Sequence, residues 1–368
     1  MSDPLLFVSA GDPSGDRATA RVIEHLKEEH PNLVTFGLGG ERLKKLGQEQ
    51  LAAPADLAVM GFWEVAKRYG FFRRLMRSCV DEIRHRQPKL ILLVDYPGFN
   101  LRLAKRLKPL GIPIVYYISP QVWAWGRKRV QQIHDYVDRM LVILPFEEAF
   151  FGDHGTQAEF VGHYLMEDIP SEYIASAAPG NGQLGLLPGS RRQEIERILP
   201  GMLEAAGLLH LKYGQNSVVA AVTGAYDYEP LCRRYANRGV TVRYDDARRV
   251  VAESDVVLTK SGTATLECGI IGRPMVVVYK TGWITYQIAR RLVELDKIAL
   301  VNLVLGEKAV PELIQGEMAP KRMADEIGRY LDDNDYRARV SDSLSRVPGL
   351  LGGAGASQKA ADAIARYL

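Results

Sequence analysis

Cysteine is scarce in this chain. Cys79, Cys232 and Cys268 lie far apart with no Cys-x-x-Cys pair, so neither a disulfide framework nor a thiolate zinc site is expected. Long apolar runs are missing too, and nothing approaches the ~20 residues that a membrane-spanning helix needs. The chain enters Leu5-Leu-Phe-Val-Ser-Ala10 without a basic start or a small-residue cleavage site, so no secretory leader is expected. An excess of one charge is also absent: 47 Lys and Arg against 44 Asp and Glu leave +3. Any basic function must therefore be local, and nucleic acid is not an expected partner. The seven histidines show no paired ligand spacing, and the acidic run Asp332-Asp-Asn-Asp335 reads as a solvated turn, so no metal is expected. What these absences leave is a cytosolic protein or one lying on a membrane surface.

What is present is the composition of an ordinary globular protein, 47% hydrophobic and 25% charged, in a chain of 368 residues that predicts two domains. Strand-like apolar runs alternate with helical stretches from end to end, which predicts an α/β fold with parallel sheets covered by helices. In the first half the expected strands are 5–10, 34–38, 90–94, 114–118, 140–144 and 159–161, with helices at 17–29, 73–86 and 101–110. In the second half they are 184–187, 218–222, 240–243, 256–259 and 275–279, with helices at 193–213, 263–271 and 284–295. Helices at 320–331, 335–346 and 356–368 close the chain. The polar segment around Pro170 and Pro179 reads as a linker. The expected domains are 1–165 and 183–346, joined by 166–182, with 347–368 a terminal helix that packs on the first domain or on a partner subunit. The whole reads as two doubly wound Rossmann-like domains facing a cleft.

Two strand-to-helix corners in the second half stand out. The run Leu184-Gly-Leu-Leu187 stops at Pro188-Gly189, and Ser190-Arg191 opens a helix. The first turn of a helix offers unpaired N–H groups and partial positive charge, Gly189 lets a ligand approach, and Arg191 adds a bidentate donor. That suits a phosphate or diphosphate, although an ordinary capped turn has the same pattern. The second corner is Lys260-Ser-Gly-Thr-Ala-Thr-Leu-Glu267, with Ser261, Gly262 and Thr263 in capping positions. Glu267 lies one helical turn after Thr263, where it can accept ribose hydroxyls or merely pair with a base. Together the corners suggest a nucleotide diphosphate.

In open α/β sheets ligands sit at the carboxyl ends of the strands. Asp95, directly after the apolar 90–94 strand, is placed there and is expected to have a raised pKa and to serve as a general base. Capping of the following helix would explain it equally well. The loop Gly11-Asp-Pro-Ser14-Gly15-Asp16 lacks both dinucleotide and P-loop glycine spacing and reads as a substrate loop or a bare turn. His163 ends a strand and is either turned to the ligand or structural. From 62 to 77 the sequence FWEVAKRYGFFRRLMR puts Phe62, Val65, Tyr69, Phe72 and Met76 on one helical face, with Lys67, Arg73, Arg74 and Arg77 off it. This is the pattern of a helix lying in a lipid interface, or of one burying its stripe in the core.

Nearly the whole chain resembles the lipid-A-disaccharide synthases, inverting glycosyltransferases of the GT-B fold. The resemblance is carried by Gly11-Asp-Pro-Ser-Gly-Asp16, Ala58-Val-Met60-Gly61, Asp95-Tyr-Pro-Gly-Phe-Asn100 and Ser119-Pro-Gln-Val-Trp123-Ala-Trp125 with Arg127 and Arg129 after it. It continues through Leu144-Pro-Phe-Glu147, Gly162-His163, Leu187-Pro-Gly-Ser-Arg191, Ser261-Gly-Thr-Ala-Thr-Leu-Glu267, Asn302-Leu303 and Pro311-Glu-Leu-Ile-Gln315. The chain departs from the family pattern at Asp12-Pro13, where Glu-Ala is common, and at Tyr164 and Val301, where Pro is usual. Gly98 stands where many members carry an acidic residue.

The resemblance implies transfer from UDP-2,3-diacylglucosamine to 2,3-diacylglucosamine 1-phosphate, giving the β-1,6 disaccharide and UDP, without a cofactor. It implies that Gly189, Ser190, Arg191, Ser261, Gly262, Thr263, Glu267 and Asn302 hold the UDP-sugar. Asp95 becomes the base, and Ser14, Gly15, Asp16, Met60, Ser119, Trp123, Trp125, Arg127, Arg129 and His163 become substrate-loop residues. Since both substrates carry acyl chains, Phe62, Tyr69, Phe72, Met76, Arg73, Arg74 and Arg77 are expected to touch the membrane or the chains. The location expected is the cytoplasmic face of the inner membrane, and a homodimer stays open. Alternatives are another UDP-sugar enzyme of this fold (a 2-epimerase or a peptidoglycan-lipid glycosyltransferase) and a non-catalytic nucleotide-sugar binding module.

Overall fold

The computed structural model describes residues 3–53, 69–124, 127–175, 182–244, 246–282, 286–287 and 296–368. Two compact units emerge, one of Met1–Tyr164 with Gly352–Leu368 and one of Leu165–Leu351. The first holds a seven-stranded parallel sheet of β1 (Leu5–Ala10), β2 (Val34–Leu38), β3 (Glu49–Gln50), β4 (Leu90–Val94), β5 (Ile114–Tyr117), β6 (Arg139–Val142) and β7 (Ala158–Phe160). Its order is β3-β2-β1-β4-β5-β6-β7. β4 reads as a continuous apolar run and β1 as one broken only by Ser9, because both faces of the sheet are covered by helices. Phe7 and Phe36 meet edge to face at 5.3 Å in the core beneath.

In the second unit β8 (Gln183–Leu187), β9 (Asn216–Ala220), β10 (Val240–Arg243), β11 (Val256–Lys260), β12 (Met275–Tyr279) and β13 (Glu312–Ile314) form a six-stranded parallel sheet ordered β10-β9-β8-β11-β12-β13. Both sheets are wound outward in two directions from a central pair, β1 with β4 and β8 with β11. Each therefore has a switch point where loops from adjacent strands diverge, the position that gathers ligands in doubly wound sheets.

Several elements differ from expectation. The first helix begins at Pro13 rather than at 17, and the helix after β4 begins at Pro97 rather than at 101. In both, proline occupies the first turn, where its missing N–H costs nothing. The short edge strands β3 and β13 are added by pairing with β2 and β12. The expected helix 284–295 lies outside the described residues apart from 286–287. The terminal helix Ala356–Ala365 packs on Pro13–Glu29 inside the first unit. The short helix Val347–Leu350 stays with the second unit, its fully buried Val347 set against Gly269. Among the described residues no helix is long and apolar enough to cross a membrane, and no group of three or more His, Cys, Asp or Glu is placed to hold a metal ion.

Candidate functional sites

Asp95 stands at the switch point of the first sheet. The backbone leaves β4 through two consecutive left-handed residues, Asp95 with φ 42° and Tyr96 with φ 48°. Non-glycine residues in that region cost about 1–3 kcal/mol each and persist only where the surroundings enforce them. Here the enforcing groups are identifiable. The fully buried Asn100 donates to the carbonyls of Ser9 (3.2 Å), Val94 (3.0 Å) and Asp95 (2.9 Å), and Ser9 Oγ donates to its Oδ1 at 2.7 Å. The buried Tyr116 hydroxyl also donates to the Asp95 carbonyl. The Tyr96 ring covers Gly11, where a Cβ would lie 2.5 Å from Tyr96 Cδ1, so only glycine fits under it.

Burial, followed by the charge of Asp12, pushes the Asp95 carboxyl up to about 7, against a smaller opposing pull from the Tyr96 N–H. Asp12 is itself the cap of the first helix, accepting from Gly15 N at 3.2 Å and from Ser14 Oγ. Arg129 is close enough for its charge to act on Tyr116. Asp95, Ser14 and Arg129 are thus brought to one end of the first sheet, together with Asp12, which lies in the same motif as Ser14 but is not among the candidate site residues expected from sequence.

Other expected substrate-loop residues are engaged differently. Asp16 is buried and accepts from Gly40 N at 2.8 Å, Arg42 N at 3.1 Å and Leu43 N at 3.2 Å, closing the start of helix Glu41–Lys45. Gly15 is buried, and a Cβ on it would lie 2.6 Å from Asp12 Oδ1. His163 is buried with its ring against Tyr164, and desolvation pushes it down to about 3, so it is neutral at physiological pH. Ser119 and Trp123 are organised by Glu147, a residue the sequence presents within a motif but does not mark. Ser119 Oγ donates to Glu147 Oε1 at 2.8 Å, Trp123 Nε1 to the same oxygen at 3.0 Å, and Leu144 N to Oε2 at 3.0 Å. Burial raises the Glu147 carboxyl, and those donors partly offset the rise. Met60 and Trp125 lie outside the described residues, as does the side chain of Arg127.

The amphipathic stretch requires a correction. Within helix Tyr69–Arg86, Met76 is buried in the core of the first unit and Phe72 packs against it, 6.5 Å from the Phe99 ring. Of the stripe's described side chains, Phe72 and Met76 pack into the core of the first unit and are not a free lipid-facing surface. Arg73, Arg74 and Arg77 are exposed. Phe62 and the Tyr69 side chain lie outside the described residues.

In the second unit the two corners are neighbours, because β8 pairs directly with β11. Gly189 has φ 111°, and Ser190 and Arg191 are exposed just before helix Arg192–Tyr213. Gly262, with φ 153°, caps helix Thr263–Ile271 and precedes the exposed Thr263, while the Ser261 hydroxyl donates to Ile298 O at 2.9 Å. Glu194 and Lys260 link the corners at 3.1 Å. Glu267 accepts from Arg248 Nε at 2.9 Å, and Arg248 Nη1 donates to the Asp168 carbonyl at 2.7 Å. Asn302 is fully buried: it donates to Val310 O and Glu312 Oε1 and accepts from Val310 N. Glu312 in turn accepts from Ile298 N and Ala299 N, the residues before helix Leu300–Leu305. Asn302 is thus joined to the Ser261 corner through Glu312 and the 298–299 backbone.

The model of the lipid-A-disaccharide synthetase family matches residues 6–361. The chain belongs to this family. It is 43% identical over 375 residues to a lipid-A-disaccharide synthase of Anaeromyxobacter dehalogenans (strain 2CP-C), covering 99% of this chain and 97% of that one. With the corresponding enzyme of Myxococcus xanthus (strain DK1622) it shares 40% identity over 374 residues, 99% of this chain and 98% of the relative. Membership makes it a glycosyltransferase of lipid A disaccharide synthesis. Solved structures of the same two-domain GT-B architecture include a UDP-GlcNAc 2-epimerase from Neisseria meningitidis (TM-score 0.64, 11% identity, 98% and 99% of the two chains). The calicheamicin glycosyltransferase CalG4 is another (TM-score 0.62, 15% identity, 100% and 99%). At such identities they bear on the fold alone.

Proposed function

We propose that this chain joins UDP-2,3-diacylglucosamine to 2,3-diacylglucosamine 1-phosphate by a single inverting displacement in which Asp95 is the base. The carboxylate takes the proton of the acceptor 6-hydroxyl as that oxygen attacks the donor anomeric carbon. The bond from that carbon to the UDP oxygen breaks, and UDP leaves with the electron pair. The observation that carries this reading is the placement of Asp95 at the end of β4, its backbone held by Asn100 and Tyr116, where burial raises its carboxyl to about 7, in the range of a general base. Negative charge grows on the diphosphate as the bond breaks. The N–H groups that open helices Arg192–Tyr213 and Thr263–Ile271, with Arg191, are suited to meet it. Glu267, held by Arg248, would take the ribose. Ser119, Trp123 and Arg129 would line the acceptor side.

Both substrates carry acyl chains, so the enzyme works at a bilayer, and we place it on the cytoplasmic face of the inner membrane. The exposed Arg73, Arg74 and Arg77 supply the contact, each such cation adding about 1 kcal/mol near an anionic surface. The direct test is Asp95→Asn. Turnover should fall by roughly 10²-fold or more while UDP affinity is kept, as expected when a general base is lost. Near-normal turnover would leave Asp95 a structural role and remove the proposed chemistry.

A further inference from the structure

The two corners of the second unit converge on one ammonium group. Lys260, the last residue of β11, ends with Nζ 3.1 Å from Glu194 Oε1, and a Cβ on Gly262 would lie 3.6 Å from that nitrogen. The ring of Tyr279, at the end of β12, lies 5.9 Å away. Arg191 Nη1 approaches the same Glu194 oxygen at 3.5 Å. Glu194 itself lies against Gly189, where a Cβ would come within 2.8 Å of its Oε2. One carboxylate therefore sits in the space that Gly189 leaves open and is shared by two cations.

Stability alone is a weak reason for this arrangement. Two helix N-termini, a lysine and an arginine converge on a small region, and every one of those fields is positive. A lysine placed there is unfavourable unless an anion accompanies it, and the pair it makes with Glu194 keeps some solvent exposure, which limits its net worth. The anion demanded by the corner is supplied internally by Glu194 when no ligand is bound. An incoming diphosphate carries more charge, and it cannot share the corner with a carboxylate without strong like-charge repulsion.

We propose that Lys260 is a diphosphate-binding residue of this enzyme and that Glu194 is its exchangeable counter-ion, displaced when the diphosphate of the donor arrives. This rests on the nucleotide reading given above and deepens it. Once Glu194 leaves, Lys260 and Arg191 both face the ligand, one as a point charge and the other as a planar fork. The displaced carboxylate, in the first turn of helix Arg192–Tyr213, still benefits from the positive end of that helix. Glu194 thus competes with weak anions more effectively than with a diphosphate, which biases the corner toward highly charged ligands.

Calorimetric titration of the full chain with UDP, with uridine as the uncharged control, tests the assignment. Lys260→Met should weaken UDP binding roughly tenfold or more, as for loss of a charge-assisted contact, and leave uridine within about twofold. Lys260→Arg should keep most of the UDP affinity, and it remains informative if the methionine variant folds poorly. Glu194→Gln should tighten UDP binding several-fold, and that gain should vanish when combined with Lys260→Met. Unchanged UDP affinity in Lys260→Met, or a loss in Glu194→Gln as large as that in Lys260→Met, would overturn the assignment and leave the pair a scaffold. Absence of UDP binding by the unaltered chain would overturn the nucleotide reading itself, and this inference with it.

Discussion

Asp95 carries a cost in folding stability that its proposed chemistry explains. Its carboxyl is raised to about 7, so the folded chain favours the protonated form, and stability is lost as pH rises from about 4 through 7. Asp95→Asn removes that cost and should melt at a higher temperature than the unaltered chain above pH 7 even as it loses turnover. Asp12 raises that pKa through its charge. Asp12→Asn preserves a capping side chain but removes a negative neighbour, so the Asp95 pKa should fall. The acidic limb of kcat/KM, expected near pH 7, should then move to lower pH, measured with a soluble short-chain acceptor. A limb that stays in place would exclude Asp12 as the tuning charge. His163 cannot supply this limb, since burial holds it near 3.

At the scale of elements, the strands were legible because those buried on both faces must be largely apolar, and β1, β4, β8 and β11 announce themselves. The loops after them were legible as a consequence, which is why Asp95, Arg191 and Ser261 could be marked from sequence. Partnerships across long separations were not. Nothing local tells that Glu147 gathers Ser119 and Trp123, that Asp16 closes a helix more than twenty residues on, or that Glu312 holds the 298–299 backbone for Asn302. Nor does a helical wheel say which partner receives an apolar stripe, so Phe72 and Met76 could be read as a lipid face. Two tests belong here. Glu147→Gln puts an amide N–H₂ where donors converge and should destabilise the chain by about 1–3 kcal/mol in a urea titration, with a shift in tryptophan fluorescence. An unchanged midpoint would mean that Glu147 does not organise the loop. Reversing Arg73, Arg74 and Arg77 to Glu should abolish low-salt binding to vesicles containing anionic lipid while leaving the melting temperature close to that of the parent chain. Retained vesicle binding would show that this helix is not the membrane contact.

Across the whole molecule the same device appears twice. Each unit is a parallel sheet wound outward from a central strand pair, and at each switch point the loops carry groups that the proposed reaction would use: the Asp95 carboxyl in one, two helix starts suited to a diphosphate in the other. The composition fits this division, because a net charge of only +3 leaves the positive potential concentrated in local features such as Arg191, Lys260 and the Arg73–Arg77 face. Family membership accounts for the reaction class, and the sites account for how each half would contribute. The most direct test of the central claim is the release of UDP from UDP-2,3-diacylglucosamine, followed with and without 2,3-diacylglucosamine 1-phosphate. The account predicts UDP release that depends on the acceptor and matches the disaccharide 1-phosphate formed mole for mole. UDP release that is indifferent to the acceptor, or the absence of disaccharide, would contradict it.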